Sequence, residues 1–224
     1  DFRRQFQFLA SHYPDTLSVN LTAIASGTWQ AAVSAAERTN APGRVHVVDS
    51  RNASIGLGLL AVFAAECADS GMDIEAAMKA VMQMRDKTLT FALIDDLRFA
   101  VRGGRVPGWV RTLARLLRLT PILRTLPNGR VATASFQFGR YNKSRRFARY
   151  IAKESETGLA VNVLIAHALN PEGAEQLAAA LENSIPDINR LVITELGTAL
   201  GVHAGPGALV VSTQPAYSPD EVTD

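Results

Sequence analysis

Apolar residues recur in two alternating rhythms over the first 94 positions. Short runs at Leu17–Leu21 and Val45–Val48 have the length and branching of strands, and each precedes a stretch of helical spacing, Gly27–Arg38 and Ile55–Ser70. Alternation of that kind predicts an α/β unit on a parallel sheet. A further helix is expected over Asp73–Lys87, with an acidic first turn and basic last turn that suit its dipole. Thr88–Ile94 reads as a strand leading to a short helix that Gly103-Gly104 breaks. Beyond it, Pro121–Arg124 and Val131–Phe138 flank Pro127-Asn128-Gly129, a hairpin signal. Helix Asn142–Glu156, strand Val161–Ala166, helix Pro171–Asn183 and strand Leu191–Thr194 follow, with a last strand at Ala208–Ser212 and a loose polar tail from Pro215. The expected fold is α/β in two domains, an N-terminal parallel-sheet α/β domain over residues 1–92 and a C-terminal α+β domain over 93–224. A doubly wound domain needs more parallel strands than the first part supplies, which predicts that its first βα units precede Asp1.

Composition narrows the class. The 224 residues are 47% hydrophobic, enough for a real core. No apolar run approaches the roughly 18–20 residues of a membrane span, and the start at Asp1 lacks the apolar segment of a signal peptide, so a cytoplasmic protein is expected. Cys67 is the only cysteine, which excludes an internal disulfide, and it sits on an apolar helical pattern that predicts a buried, inert thiol. The net charge of +2 hides an asymmetry: between Leu97 and Lys153 there are 14 Lys or Arg and no Asp or Glu. That region would present a positive field to nucleic acid, anionic lipid, an anionic ligand or an acidic protein. Aromatics, 7% of the chain, do not interleave with these cations, which argues against stacking on single strands.

Several turns carry candidate chemistry. Ser26-Gly27-Thr28 follows a strand and opens a helix, so its hydroxyls and first-turn N–H groups could hold an oxyanion or merely cap the helix. Asp49-Ser50 closes the next strand, and Ser54-Ile55-Gly56-Leu57-Gly58 opens the next helix on the same sheet edge, where open α/β sheets bind ligands. The glycine spacing matches neither a phosphate loop nor a dinucleotide fingerprint. Arg105 after Gly103-Gly104, and Arg140 after the strand ending at Phe138, are candidates for pairing a carboxylate or phosphate. Arg111, Arg115 and Arg118 make one basic face beside leucines. Near the C-terminus, Gly201-Val202-His203-Ala204-Gly205-Pro206-Gly207 reads either as a tight loop before the last strand or as a site, with His203 its titratable group. Ser26 or Ser50 with Asp49 and His203 could form a hydrolase triad, though no Gly-x-Ser-x-Gly elbow is present. The four histidines lack metal-ligand spacing, and no metal site is expected.

In combination, Ser26-Gly27-Thr28-Trp29-Gln30, Asp49-Ser50 with Ser54, Gly56 and Gly58, Asp95-Asp96-Leu97, Gly103-Gly104-Arg105-Val106, Thr120-Pro121-Ile122-Leu123 and His203 with Gly205-Pro206-Gly207 resemble the DegV family over nearly the whole chain. The resemblance implies a non-enzymatic protein that binds a long-chain fatty acid, such as palmitate or oleate, between its two domains. It implies further that the carboxylate is presented to a separate ATP-binding subunit of fatty acid kinase. Thr22, Ser26, Gly27 and Thr28 would face the carboxylate with Arg105, Arg140 and His203, supported by Asp49, Ser50, Ser54, Gly56 and Gly205. Where the family has paired serines this chain has Thr22-Ala23, so Thr22 would supply the hydroxyl. The family's Thr-Ser-Gln-Pro segment would fall before Asp1. No cofactor is implied. A kinase subunit and an anionic membrane are the expected partners, with a serine-dependent acyl hydrolase and a nucleic-acid-binding regulator as the alternative readings.

Overall fold

Two sheets share one helical layer. The computed structural model describes residues 1–104, 119–139, 141–155 and 158–218. The smaller sheet holds the parallel strands β1 (Thr16–Asn20) and β2 (Val45–Asp49). The larger has six strands in the order β5-β4-β3-β8-β6-β7. These are β3 (Leu89–Leu93), β4 (Leu119–Thr125), β5 (Val131–Phe138), β6 (Val161–His167), β7 (Ile188–Glu195) and β8 (Leu209–Pro215). Among the described strands of this larger sheet, β6 and β7 alone pair in parallel, joined through helix α7 (Pro171–Glu182) as a βαβ crossover. The other pairs are antiparallel.

Period-two patterning assigns the faces. Val45 and Val47 of β2 pack with Phe6, Ala32 and Ala35 from α1 (Phe2–His12) and α2 (Thr28–Ala36). Val48 turns the other way, onto Leu60, Phe63 and Cys67 of α3 (Ser54–Asp69) and Val81 and Met84 of α4 (Ile74–Lys87). Across the larger sheet, Phe91, Ile122, Val163 and Val211 meet Phe147 and Ile151 of α6 (Lys143–Glu154) and Leu177 and Leu181 of α7. Two short helices, α5 (Leu97–Arg102) and α8 (Thr198–Ala204), pack against each other beside the sheet.

Helix α4 is capped as its sequence suggests: Asp73 accepts from Ala76 N–H at 2.8 Å. Two elements differ from expectation. Residues 2–12 form α1, whose Phe2, Phe6 and Ala10 recur at helical spacing. The segment holding Gly201 and His203 is the end of α8 rather than a loop, and the turn follows at Gly205 (φ 75°). Phe99 lies where a Gly205 side chain would stand, so only glycine lets α8 seat against α5.

The shared layer is fastened to the larger sheet by a buried polar chain. Asn52, 1% exposed, precedes α3. Its Nδ2 donates to the Thr88 carbonyl at 3.0 Å, and its Oδ1 accepts from Thr90 Oγ1 at 2.6 Å. Thr90 Oγ1 lies 2.7 Å from Ser212 Oγ on β8, and Gln214 donates to Thr88 Oγ1 at 2.8 Å. Ser50, fully buried, bonds the Asn52 backbone N–H and C=O, both at 3.1 Å. A Cβ on Gly56 would overlap Thr90 Oγ1 and Asn52 Oδ1, so glycine sets how closely α3 approaches β3. Asn52→Ala removes the side-chain donor to the Thr88 carbonyl and leaves Thr90 with Ser212 alone in a buried joint, and we expect a loss of about 3 kcal/mol, read as a lower urea midpoint. Gly56→Ala should lower the same midpoint.

Candidate functional site

Four residues, Asn20, Thr22, Asn52 and Thr90, connect the strand ends of the small sheet to the larger one. Ser50 N–H donates to the Asn20 carbonyl at 3.0 Å, and Thr22 N–H donates to the Asn52 carbonyl at 3.0 Å. Asp49 Oδ1 accepts from Ala23 N–H at 3.2 Å and Arg51 N–H at 2.8 Å, tying the turns after β1 and β2 together. Two non-glycine residues of the second turn, Arg51 (φ 47°) and Ser54 (φ 55°), are left-handed. Such backbone persists only where its surroundings over-determine it, which the Ser50 and Asn52 bonds do.

A cavity of about 490 Å³ lies where these turns meet the larger sheet. Its floor is β3 from Thr90 to Ala92 with Leu123 of β4 and Val210 of β8. One wall is α8, through Leu200, His203 and Ala204, with Ala100 of α5. The opposite side is supplied by Ile24, Ala25, Ala53 and Ser54 from the turns. Mostly apolar walls with few polar groups, at this size, are what a small-molecule site requires. A wider cleft of about 990 Å³ lies between α6 and α7, but exposed Arg145, Arg149 and Glu172 line it and an apolar ligand would gain little there.

Of the residues singled out from sequence, Ser54 and His203 line the cavity. His203 Nδ1 is buried with no hydrogen-bond partner, and it packs where a Gly103 side chain would stand. Ser26 and Thr28 sit one turn away at the start of α2, their hydroxyls 2.7 Å apart, with Thr28 N–H donating to Ser26 Oγ at 3.3 Å. Gly27, exposed, is the N-cap of that helix. Thr22 is fully buried and its hydroxyl donates to the Gly129 carbonyl at 2.9 Å. Asp49, Ser50, Gly56 and Gly205 shape the surrounding turns and joints, as described. Arg105, Arg140, Arg111, Arg115 and Arg118 lie outside the described residues. The triad is not assembled: Asp49 is occupied by backbone amides, Ser50 by Asn52, Ser26 by Thr28, and His203 Nδ1 bonds neither Asp49 nor a serine.

Sequence reasoning did not find Asn52, and it read Gly129 only as part of a hairpin turn. Asn52 carries no periodic signal, and the role of Gly129 depends on a contact with Thr22 across 107 residues. Burial pushes the Cys67 thiol up, helped by the charge of Glu66, which keeps it in its unreactive form. No group of three or more His, Cys, Asp or Glu among the described residues could hold a metal. No described helix is long and apolar enough to cross a membrane.

Fold and cavity thus define a two-sheet α/β protein with a mostly apolar, open-mouthed site against the joint of its sheets. A family model described as an uncharacterised protein of the DegV family matches residues 1–216, and the chain belongs to that family. A DegV domain-containing protein of Streptomyces coelicolor is 32% identical over 200 residues, covering 87% of this chain and 68% of the relative. Among solved structures, one reporting fatty acid binding by a DegV family protein of Thermus thermophilus superposes with a TM-score of 0.86 at 26% identity, over 96% of this chain and 75% of that one. A DegV family protein of Ruminococcus gnavus with vaccenic acid superposes with a TM-score of 0.82 at 22% identity, over 94% and 76%.

Filling the cavity from α8 tests its hydrophobic character. Ala204→Trp is expected to reduce binding of the apolar dye 1-anilinonaphthalene-8-sulfonate at least tenfold, measured by fluorescence titration, with an unchanged far-UV circular dichroism spectrum.

Proposed function

We propose that this protein holds one long-chain fatty acid with its acyl chain in the cavity and its carboxylate at the polar end, between the two domains expected at residues 1–92 and 93–224. The observation that carries the reading is the cavity itself, about 490 Å³ with mostly apolar walls to which His203 and Ser54 add polar groups. With Nδ1 packed against Gly103, Nε2 is the ring nitrogen we assign to the carboxylate, donating to it as Nε2–H. Relatives described as binding fatty acids support the same ligand class. Each methylene moved from water adds about 0.8 kcal/mol, so sixteen carbons suffice for tight retention. The carboxylate itself is costly to bury without donors. Ser54, the hydroxyls of Ser26 and Thr28, the α2 N-terminus at Gly27, and Arg105 and Arg140 are the groups we assign to it with His203.

The bound acid is then a substrate for a separate subunit rather than for this chain. A carboxylate oxygen attacks the γ-phosphorus of ATP held on that subunit, the bond to the β,γ-bridging oxygen breaks, and acyl phosphate and ADP result. The exposed Arg145 and Arg149 on α6 give an acidic partner a cationic surface, and the same charge suits an anionic membrane as the source of the acid.

Solvent extraction and mass spectrometry of natively purified protein should find about one fatty acid per chain. His203→Ala should lower affinity for palmitate roughly tenfold, the scale of one hydrogen bond to a charged group. A protein carrying no acyl lipid and binding none added would contradict the proposal.

A further inference from the structure

The β4–β5 hairpin projects beyond its sheet and rests on the small-sheet turns. The last β3–β4 pair joins Phe91 to Arg124, and Arg124 is anchored on the far face by Glu154 at 2.7 Å. Past that anchor the tip, residues 125–131, crosses toward the turn after β1. It is internally closed, with Leu126 N–H donating to the Arg130 carbonyl and Gly129 N–H to the Leu126 carbonyl, both at 2.8 Å. Among the described residues one hydrogen bond joins the tip to the small-sheet side, from buried Thr22 Oγ1 to the Gly129 carbonyl at 2.9 Å. Gly129 (φ 86°) fits against Thr22 and Arg51 so closely that a Cβ would overlap the Thr22 hydroxyl.

This contact stands at the cavity mouth. Of the cavity's lining residues, the exposed ones are Ile24, Ala25, Gly104, Arg130 and Val131. Four of these five flank the Thr22–Gly129 bond, two following Thr22 and two following Gly129. The floor beneath, Leu123 and Val210, is buried. An acyl chain therefore enters or leaves most directly between the Ile24-Ala25 turn and the hairpin tip. The buried Asn52 joint holds the sheets together independently of this bond, so the tip can lift without separating them.

We infer that Thr22 and Gly129 form a latch that sets the rate of ligand exchange, Thr22 acting as a positioning residue on the hairpin rather than as a carboxylate ligand. Its hydroxyl proton is already committed to a carbonyl, and a carboxylate has no proton to offer it in return. The inference rests on the fatty-acid reading for its ligand, while its structural part stands without one.

Weakening a latch by one hydrogen bond raises the open population about fivefold. Because opening precedes both entry and exit, Thr22→Val should raise the uptake and release rates of a fluorescent polyene fatty acid about fivefold each, by stopped-flow fluorescence, with affinity changed less than about twofold. Thr22→Ser, which keeps the donor, should match the parent chain. Gly129→Ala, which puts a Cβ against the Thr22 hydroxyl at a buried turn position of positive φ, should act like Thr22→Val, with an unchanged far-UV circular dichroism spectrum showing that the fold is kept. Hydrogen exchange of peptide 125–131 without ligand should quicken in both Thr22→Val and Gly129→Ala. Faster release at unchanged uptake would instead make Thr22 a carboxylate ligand and overturn the latch, as would unaltered tip exchange. A parent chain that binds no fatty acid would defeat the ligand reading, and the tip's exchange would still decide the latch.

Discussion

Everything at the site is referred to the bond set of one buried amide, Asn52. Its side chain fixes α3 to β3 through Thr88 and Thr90, its backbone carbonyl receives Thr22 N–H, and its backbone N–H and carbonyl both engage Ser50. A carboxamide can do this because it offers donors and acceptors together, and each remaining polar group in the joint depends on it for satisfaction. The strained conformations at Arg51 and Ser54 are tolerable on the same account. With α3 held so near β3 that Gly56 has no room for a side chain, the turns before α2 and α3 overhang the sheet, and the apolar space beneath them is the cavity.

Selection of an anionic amphiphile by such a site follows from how its polar groups are distributed. Apolar contact is provided by the larger sheet and by the turns that follow the small sheet's strands, whereas His203 comes from α8 and Ser54 from the opposite turn. A ligand that satisfies both must span the joint, so binding and the relative placement of the two sheets are coupled. The hairpin tip adds a second, weaker connection on the rim, so exchange need not disturb the joint. Strong retention and timely release can then be set by different residues.

Much of this was legible in the chain wherever structure is local. Alternating strands and helices gave the α/β class, Asp73 marked the start of α4, and Pro127-Asn128-Gly129 marked the hairpin. The strand at β1–α2, the Asp49-Ser50 turn and His203 were readable as candidate chemistry because glycine and hydroxyl residues at strand-to-helix turns have few other uses. Helix α1 went unread although Phe2, Phe6 and Ala10 carry its period. Gly201 and Gly205 disguised α8 as a loop, since glycine in a short helix erases the propensity signal while the packing of Phe99 on Gly205 restores the helix. The tasks of Asn52, Thr22 and Gly129 were invisible, because each is defined by a partner 36, 38 or 107 residues distant or by a Cβ that is missing.

The central claim is that an acyl chain lies along the floor of this cavity with its head toward His203. Palmitate labelled with carbon-13 at its carboxyl and terminal methyl carbons reports both ends by nuclear magnetic resonance. Methyl-end Overhauser contacts to Ala92, Leu123 or Leu200, with a carboxyl resonance that shifts in His203→Ala, are the predicted result. Methyl contacts confined to exposed residues, or a carboxyl resonance indifferent to His203, would contradict it.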